Sequence, residues 1–391
     1  MKKIALINQR YGLEVNGGSE YYTRLIAERL SADYEVEVLT SKALSYERWA
    51  DYYTEDVEKI NGVTVRRFGV VKERNDFGMK ILSRLIRWFH LNTKTMCDLW
   101  VEKQGPYIPN LVEYIRENKN NYDVFIFVTY LYYPTVVGMK EVADKAIFIP
   151  TAHDEPYIYF KSHQPLFTLP RAIVYLTEEE KTFVNKLFKN QSIPSVVAGV
   201  GVEVPEKINE DRFRDKYNIR DKYFIYVGRV DKSKGCDEMI EYFLRWQEKN
   251  REQENTKLVI MGQEFMKIPE HPNLCYLGFV SEEDKFDAIK GAQALWLPSQ
   301  FESLSISVLE AMTLSVPVLV NGKCEVLKGH CQKSNGGLFY ETYAECEKHL
   351  NVFSKDMDAL KELGQNARDY IEKNYLWSTI MTRIKKLIEG I

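Results

Sequence analysis

The sequence predicts an α/β protein of two domains, each built on a mostly parallel sheet, and three observations carry that prediction. The first is residues 294–320, which open Ala-Leu-Trp-Leu-Pro-Ser-Gln-Phe-Glu. A short apolar run stops at Pro298-Ser299, apolar residues at helical spacing follow over 306–314, and Pro317 opens a second apolar run at 318–320. Runs that are apolar throughout, rather than alternating, suit strands covered on both faces, as in parallel sheets. The second is a strand, a glycine-containing turn and a helix at 3–30 and again at 223–246, the opening of a mononucleotide-binding unit. The third is length. A chain of 391 residues is longer than single cores usually hold, so two domains are the natural count.

Composition narrows the function classes. With 45% apolar and 28% charged residues, the chain reads as a globular, water-soluble protein. A net charge of -3 gives no general attraction to nucleic acid. The N-terminus has four apolar residues in a row, too few for a signal-peptide core, and no run approaches the length of a membrane span. Six cysteines lack C-x-x-C spacing and read as reduced thiols, which predicts a cytoplasmic protein. Cys324, His330 and Cys331 are close in sequence but too few for a zinc site.

In the N-terminal half, 3–8 is a strand, 9–18 a loop and 19–30 a helix with Tyr22, Leu25, Ile26 and Leu30 on its apolar face. Gly17-Gly18 lets a ligand approach the backbone, and the helix start offers N–H groups to an anion. Strands are expected at 34–39 and 63–68, with 41–60 between them a loop containing irregular helix. Residues 79–90 form a basic amphipathic helix: Ile81, Leu82, Leu85, Ile86 and Phe89 share a face, and Lys80, Arg84 and Arg87 lie off it. Two readings stand, a helix lying on an anionic membrane or one packed on the sheet with a solvated basic face. Strands follow at 123–128 and 146–150. The second ends in Thr-Ala-His153-Asp154, where open α/β sheets bind ligands; the competing reading is a histidine that caps a loop. A strand at 171–176 leads into Thr177-Glu-Glu-Glu180, a capping-box start for a helix to 188. A strand at 195–198 and a turn over 199–205 close this half.

The second half starts near Lys207. After the strand at 223–227 comes Gly228-Arg229-Val-Asp-Lys-Ser-Lys234-Gly235, and an Arg and a Lys five apart in such a loop make a cationic clamp for a diphosphate. Strands at 257–261 and 273–277 precede a helix capped by Ser281 and running to 290. Glu302 falls in the loop after the strand at 294–297, and Glu310 lies within a helix that should be packed. Glutamate is almost never buried unless paired. The competing reading puts both on a solvated face. Asp356-Met-Asp358 falls in a helical stretch and reads as solvated surface, not as a metal site. The terminal stretch 377–388 is an amphipathic helix.

The string Pro-Ser-x-x-Glu302-x(7)-Glu310-Ala-Met, with Pro-Val seven residues on, resembles the E-x7-E motif of glycosyltransferase family 4. Gly17-Gly18-Ser-Glu, Thr-x-His153-Asp154, Gly-Arg229-x(4)-Lys234-Gly and the turn at 334–339 resemble that family's other motifs in the same order. Ser303, Ser305 and Ser315 depart from it, standing where the family has glycine.

The resemblance implies a GT-B fold, two Rossmann-like domains facing across a cleft. Residues 1–205 would be the acceptor domain, with the helix at 375–391 packing back on it, and 206–374 the nucleotide-sugar donor domain. It implies a retaining transfer of a sugar from a nucleotide-diphosphate-sugar to a hydroxyl of a glycan or glycolipid, in cell-surface polysaccharide synthesis. UDP-sugar is favoured over GDP-sugar, and neither metal nor cofactor is expected. Arg229 and Lys234 would hold the leaving diphosphate, with backbone N–H groups near Leu304 and Ser305. Residues 278–281 would lie near the base, Glu310 would hold the ribose, and Glu302 and His153 the sugar. Gly17 and Gly18 would meet the diphosphate, and Asp154 would orient the acceptor or cap its loop. A lipid-linked acceptor would draw 79–90 to the inner face of the membrane. The rival readings are a sugar-nucleotide epimerase on the same scaffold and a non-catalytic scaffold paralogue.

Overall fold

The computed structural model describes residues 1–15, 17–89, 91–250 and 255–391. Asn16 of the predicted glycine-containing loop and His90 of the predicted basic helix lie outside the described residues. The chain divides into two compact units, Met1–Gly199 with Ile380–Ile391, and Val200–Thr379.

The first unit is built on eight strands among the described residues. They are β1 (Lys3–Ile7), β2 (Glu35–Ser41), β3 (Val57–Ile60), β4 (Val63–Phe68), β5 (Val124–Val128), β6 (Ala146–Ile149), β7 (Ala172–Tyr175) and β8 (Ser195–Val197). Their order is β3-β4-β2-β1-β5-β6-β7-β8. Every pairing is parallel except β3 with β4. All residues of β5, β6 and β7 are buried, which is why these segments read as continuous apolar runs. The order reverses between β1 and β5, so the loops leaving their C-terminal ends border the crevice where such sheets take ligands. In the terminal helix Trp377–Glu389, Ile380, Ile384 and Ile388 are buried. Its end is tied to the start of the chain by Tyr34 Oη donating to Glu389 at 2.7 Å and Lys2 Nζ donating to the Ile388 carbonyl at 2.9 Å.

Two sequence expectations are corrected here. Residues 41–60 are not loop and irregular helix throughout, because Val57–Ile60 is an antiparallel edge strand in register with β4, Ile60 opposite Val63. Asn61 (φ 48°) and Gly62 (φ 84°) make its turn, and two consecutive positive φ values are what a tight two-residue hairpin needs. The basic helix starts earlier than 79, at Asp76, where the Asn75 side chain accepts from Gly78 N at 2.8 Å, and it runs to Trp88. Its buried residues are Met79, Leu82 and Ile86, whereas Ile81 and Phe89, expected to share the apolar face with Leu82 and Ile86, are exposed.

The second unit carries β9 (Tyr223–Val227), β10 (Lys257–Met261), β11 (Leu274–Gly278), β12 (Ala294–Leu297), β13 (Val318–Asn321) and β14 (Gly337–Tyr340). The order is β11-β10-β9-β12-β13-β14 and every pairing is parallel. Here the order reverses between β9 and β12, which pair through Ala294 with Phe224 and Leu295 with Ile225. Among the described residues of both units, no helix is long and apolar enough to cross a membrane.

Candidate active site

Arg229, Lys234 and Glu302 of the second unit gather at its reversal point. The loop after β9 is packed tightly against its neighbours. A Cβ on Gly262 would sit 1.9 Å from the Gly228 carbonyl oxygen, so only glycine fits where the loops after β9 and β10 touch. Tyr226 Oη donates to the Arg229 carbonyl at 2.6 Å, and the Arg229 guanidinium donates to Ser233 Oγ at 3.2 Å. Asp231 accepts from Ser233 N at 2.7 Å and so caps a single turn over Lys232–Lys234. The chain then turns at Gly235 (φ 75°), where a Cβ would lie 2.7 Å from the Pro298 carbonyl oxygen. That close approach carries Lys234 to the end of β12, and Lys234 Nζ meets Glu302 Oε1 at 2.7 Å. The pair bridges the two loops that flank the reversal point, where ligands bind in open α/β sheets.

The loop carrying Glu302 is fixed by groups the sequence reading did not assign to it. Asn321 at the end of β13 donates to the Pro298 carbonyl at 3.0 Å. His330, in the helix Glu325–Ser334, is buried and donates from Nε2 to the Leu304 carbonyl at 2.9 Å. Its Nδ1 lies 3.2 Å from Tyr370 Oη, and in the neutral ring it accepts from that hydroxyl. Considered from sequence only as a weak metal ligand, His330 instead anchors the backbone before the helix Ile306–Thr313. Ser305 caps that helix with φ 69°; its hydroxyl lies 3.4 Å from Ser307 Oγ and makes no capping hydrogen bond to the helix backbone. Ser315, just beyond the helix, has φ 60°. Two of the three serines that stand where the resembled family has glycine thus hold left-handed backbone, while Ser303 does not.

Glu310 does not join Glu302. It is 4% exposed, and Oε1 meets Lys285 Nζ at 2.7 Å. Lys285, on the helix Glu282–Lys290, also reaches Glu282 at 2.8 Å. Burial works against the ammonium, but the charges of Glu310 and Glu282 outweigh it and raise the Lys285 pKa. Burial pushes the Glu310 carboxyl upward, with Lys285 pulling the other way. The sequence rule that a buried glutamate needs a partner holds; Lys285 is the partner it did not name.

In the first unit, Gly17 and Gly18 open the helix Gly18–Leu30 at the end of β1. A Cβ on Gly17 would come within 2.3 Å of Glu20 Oε2, so the space over Gly17 is taken by the Glu20 carboxylate, while the position over Gly18 is open. Glu20 is buried with Arg10, whose Nε donates to Oε1 at 2.9 Å. His153 follows β6, and its Nε2 lies 3.4 Å from Glu155 Oε1, which also accepts from Tyr130 Oη after β5. Burial alone would push the Glu155 carboxyl up, but His153 and Tyr130 outweigh it and hold its pKa below the ordinary value. Asp154 accepts from Tyr159 Oη at 2.7 Å. Thr151, just before this group, has φ 51°, a strained value for a β-branched residue. The turn is held by buried Glu180, which accepts from Ala152 N and Leu176 N, both at 2.6 Å. Thr177 caps the helix Glu178–Phe188 as expected, and the Glu180 carboxyl also reaches across to the loop of β6.

Asp356 caps the helix Met357–Asn374, accepting from Ala359 N at 2.9 Å, which gives the Asp-x-Asp sequence a structural use.

Residues 207–370 match the family model described as glycosyl transferases group 1. The chain is 30% identical over 191 residues to the glycosyltransferase MJ1607 of Methanocaldococcus jannaschii, covering 45% of this chain and 46% of that one. It is 22% identical over 199 residues to the capsular polysaccharide biosynthesis glycosyltransferase CapM of Staphylococcus aureus, covering 46% and 50%. Across four curated relatives, these two among them, the matches span 42% to 62% of the relative's length. Among solved structures, HepE of Anabaena in complex with UDP and glucose superposes with a TM-score of 0.74 at 13% identity, covering 100% of each chain. The fold is that of the GT-B glycosyltransferases, with two domains each built on a mostly parallel sheet.

Proposed function

We propose that the chain is a retaining glycosyltransferase that moves a sugar from a nucleotide-diphosphate-sugar to a hydroxyl of a glycan or glycolipid in cell-surface polysaccharide synthesis. The observation that carries this reading is the Lys234–Glu302 pair across the reversal point of the second unit, with Arg229 on the same loop. Breaking the bond between sugar and phosphate builds negative charge on the leaving diphosphate. Fixed cations stabilise that charge more in the transition state than in the ground state. Arg229 and Lys234 supply them, with the N–H groups at the start of the helix Ile306–Thr313, beside Leu304 and Ser305, aimed outward as at any helix N-terminus. Lys234 also holds Glu302, which fixes that carboxylate for the sugar's hydroxyls. Glu310 takes the ribose hydroxyls, and the leaving phosphate takes the acceptor's proton. His153 is assigned to the donor sugar and Asp154 to the acceptor, with Gly17 and Gly18 assigned to the diphosphate and the open position over Gly18 leaving room for it. The nucleotide is UDP, as in the HepE complex, in preference to GDP.

The acceptor side of the proposal rests on the helix Asp76–Trp88. Phe77 is 78% and Trp88 75% exposed, with Ile81 between them on one stripe and Lys80, Arg84 and Arg87 exposed beside it. Exposed aromatic rings interleaved with cations suit the interface of an anionic bilayer, where rings enter the headgroup region and cations meet phosphates. A membrane-resident, lipid-linked acceptor fits that surface.

A thermal-shift screen against UDP-, GDP-, ADP- and CMP-sugars tests the donor class. Stabilisation by a UDP-sugar, followed by transfer with retained anomeric configuration in the product, is the expected result. Stabilisation by none of them overturns the reading, and conversion of the sugar nucleotide without acceptor would point to an epimerase.

A further inference from the structure

Glu310 and Lys285 form a buried ion pair that the proposed chemistry uses only in part. Glu310 is 4% exposed and the Lys285 side chain 13%, with 2.7 Å between Nζ and Oε1. Among the described residues, the charged groups that act on Glu310 are Lys285 and Glu282, both on the helix Glu282–Lys290. The other elements packed on the helix Ile306–Thr313 bury apolar residues, such as Leu295 of β12, Val318 of β13, and Leu360 and Ala367 of the helix Met357–Asn374. A carboxylate in such surroundings survives as an anion only with a cation beside it. An ionised carboxylate is acceptor-only at both oxygens and has capacity left after one ammonium contact. A protonated one turns an oxygen into a donor and can no longer take both hydroxyls of a diol.

We propose that Lys285 is a positioning residue that keeps Glu310 a charged acceptor oriented for the ribose diol of a nucleotide, and so keeps nucleotide affinity constant with pH through the neutral range. The inference rests on the assignment of Glu310 to the ribose made above. Lys285 acts through Glu310 and not on the sugar. Glu282 lies at the exposed rim of the pair and competes for the same ammonium, so it is dispensable for the effect.

Calorimetric titration of the full chain with UDP, GDP and ADP between pH 6 and 9 tests it, using the tightest of the three. The quantity read is the ratio of variant to wild-type Kd, which cancels protonation of the ligand itself. Lys285→Met is expected to bind about tenfold or more weakly at pH 6, the scale of losing one hydrogen bond to a charged group, and to recover toward wild type as pH rises to 9. Glu310→Gln is expected to bind weakly with a ratio that does not change with pH, because nothing is left to titrate. Glu282→Gln is expected to bind like wild type. A merely structural Lys285 would lower thermal stability and leave the Kd ratio flat. If Lys285→Met does not fold, Lys285→Gln, which keeps a donor but no charge, reads the same ratio. A flat ratio near one for the lysine variants, with Glu310→Gln weakened, overturns the inference alone. Wild-type affinity in Glu310→Gln, or no binding of any nucleotide by the wild type, overturns the ribose assignment and the inference together.

Discussion

Arg229 and Lys234 look alike in the sequence, two cations in one loop, and the structure gives them different settings. Arg229 is steadied by Ser233 within the loop, whereas Lys234 crosses to Glu302 on the neighbouring loop. Alanine at either position is expected to lower transfer by about two orders of magnitude, the scale of losing one preorganised charge contact. Lys234→Ala should do more to the sugar's orientation, because Glu302 loses its anchor. Turnover near wild type in either variant, from steady-state kinetics on the full donor, would remove that residue from the proposed diphosphate site. Glu180 makes a separate prediction about stability. Burial raises its pKa to about 8, against an ordinary value of 4.5. Between those values the unfolded chain has released the proton and the folded chain retains it. Rising pH therefore favours unfolding, and the contribution present at low pH is lost by about pH 8. Between pH 5 and 8, wild type should lose stability relative to Glu180→Gln in urea unfolding of the N-terminal unit. The slope is at most about 1.4 kcal/mol for each step of one in pH, the value for a single proton. A difference that stays constant or grows with pH would mean Glu180 is ionised throughout.

At the scale of elements, the left-handed serines around the helix Ile306–Thr313 are where backbone strain can be measured. Ser315 has φ 60°, and its carbonyl oxygen would meet a Cβ placed on Gly364 at 2.2 Å, so the turn is packed hard against the helix Met357–Asn374. A left-handed non-glycine residue costs about 1–2 kcal/mol, part of which glycine returns as unfolded-chain entropy. Ser315→Gly is expected to raise stability by up to about 1 kcal/mol with kinetics unchanged; a loss on urea unfolding would show that the serine side chain supports the turn. The helix Asp76–Trp88 makes the second prediction at this scale. Replacing Lys80, Arg84 and Arg87 with glutamate should abolish cosedimentation with anionic vesicles, each charge being worth about 1 kcal/mol near such a surface. If wild type fails to bind those vesicles at low salt, the exposed aromatic stripe serves some other contact. Its amphipathic period was legible in the sequence, but its facing was not. Periodicity says that a helix has two faces, while the residues packed against it decide which face is covered. The edge strand β3 was missed for a related reason. Val-Glu-Lys-Ile has polar residues at its centre, as an exposed edge allows, and only the Asn61-Gly62 turn announced it.

For the whole molecule, the proposed mechanism places its positive charge on side chains. Transfer is therefore expected to survive EDTA with kcat unchanged, and a strict Mg2+ or Mn2+ requirement for the chemical step would overturn the assignment of that charge to Arg229 and Lys234. The sequence by itself determined the α/β class, the parallel strands and the neighbourhoods of Glu302, Glu310, Arg229 and His153. Strands covered on both faces must be continuously apolar, and loops must interrupt them at polar, Gly or Pro positions, so these signals are local. The sequence also required that a glutamate inside a packed helix have a partner. Which cation meets which carboxylate was decided by the tertiary structure. Lys234 and Glu302 are 68 positions apart and meet because the sheet order sets β9 beside β12. Lys285 reaches Glu310 across 25 positions because their two helices pack together. His330, with no signal but its own identity, reaches Leu304 in the same way. Desolvation demands a countercharge or a hydrogen-bond partner without specifying its place in the chain, and only the packing of strands and helices supplies that place.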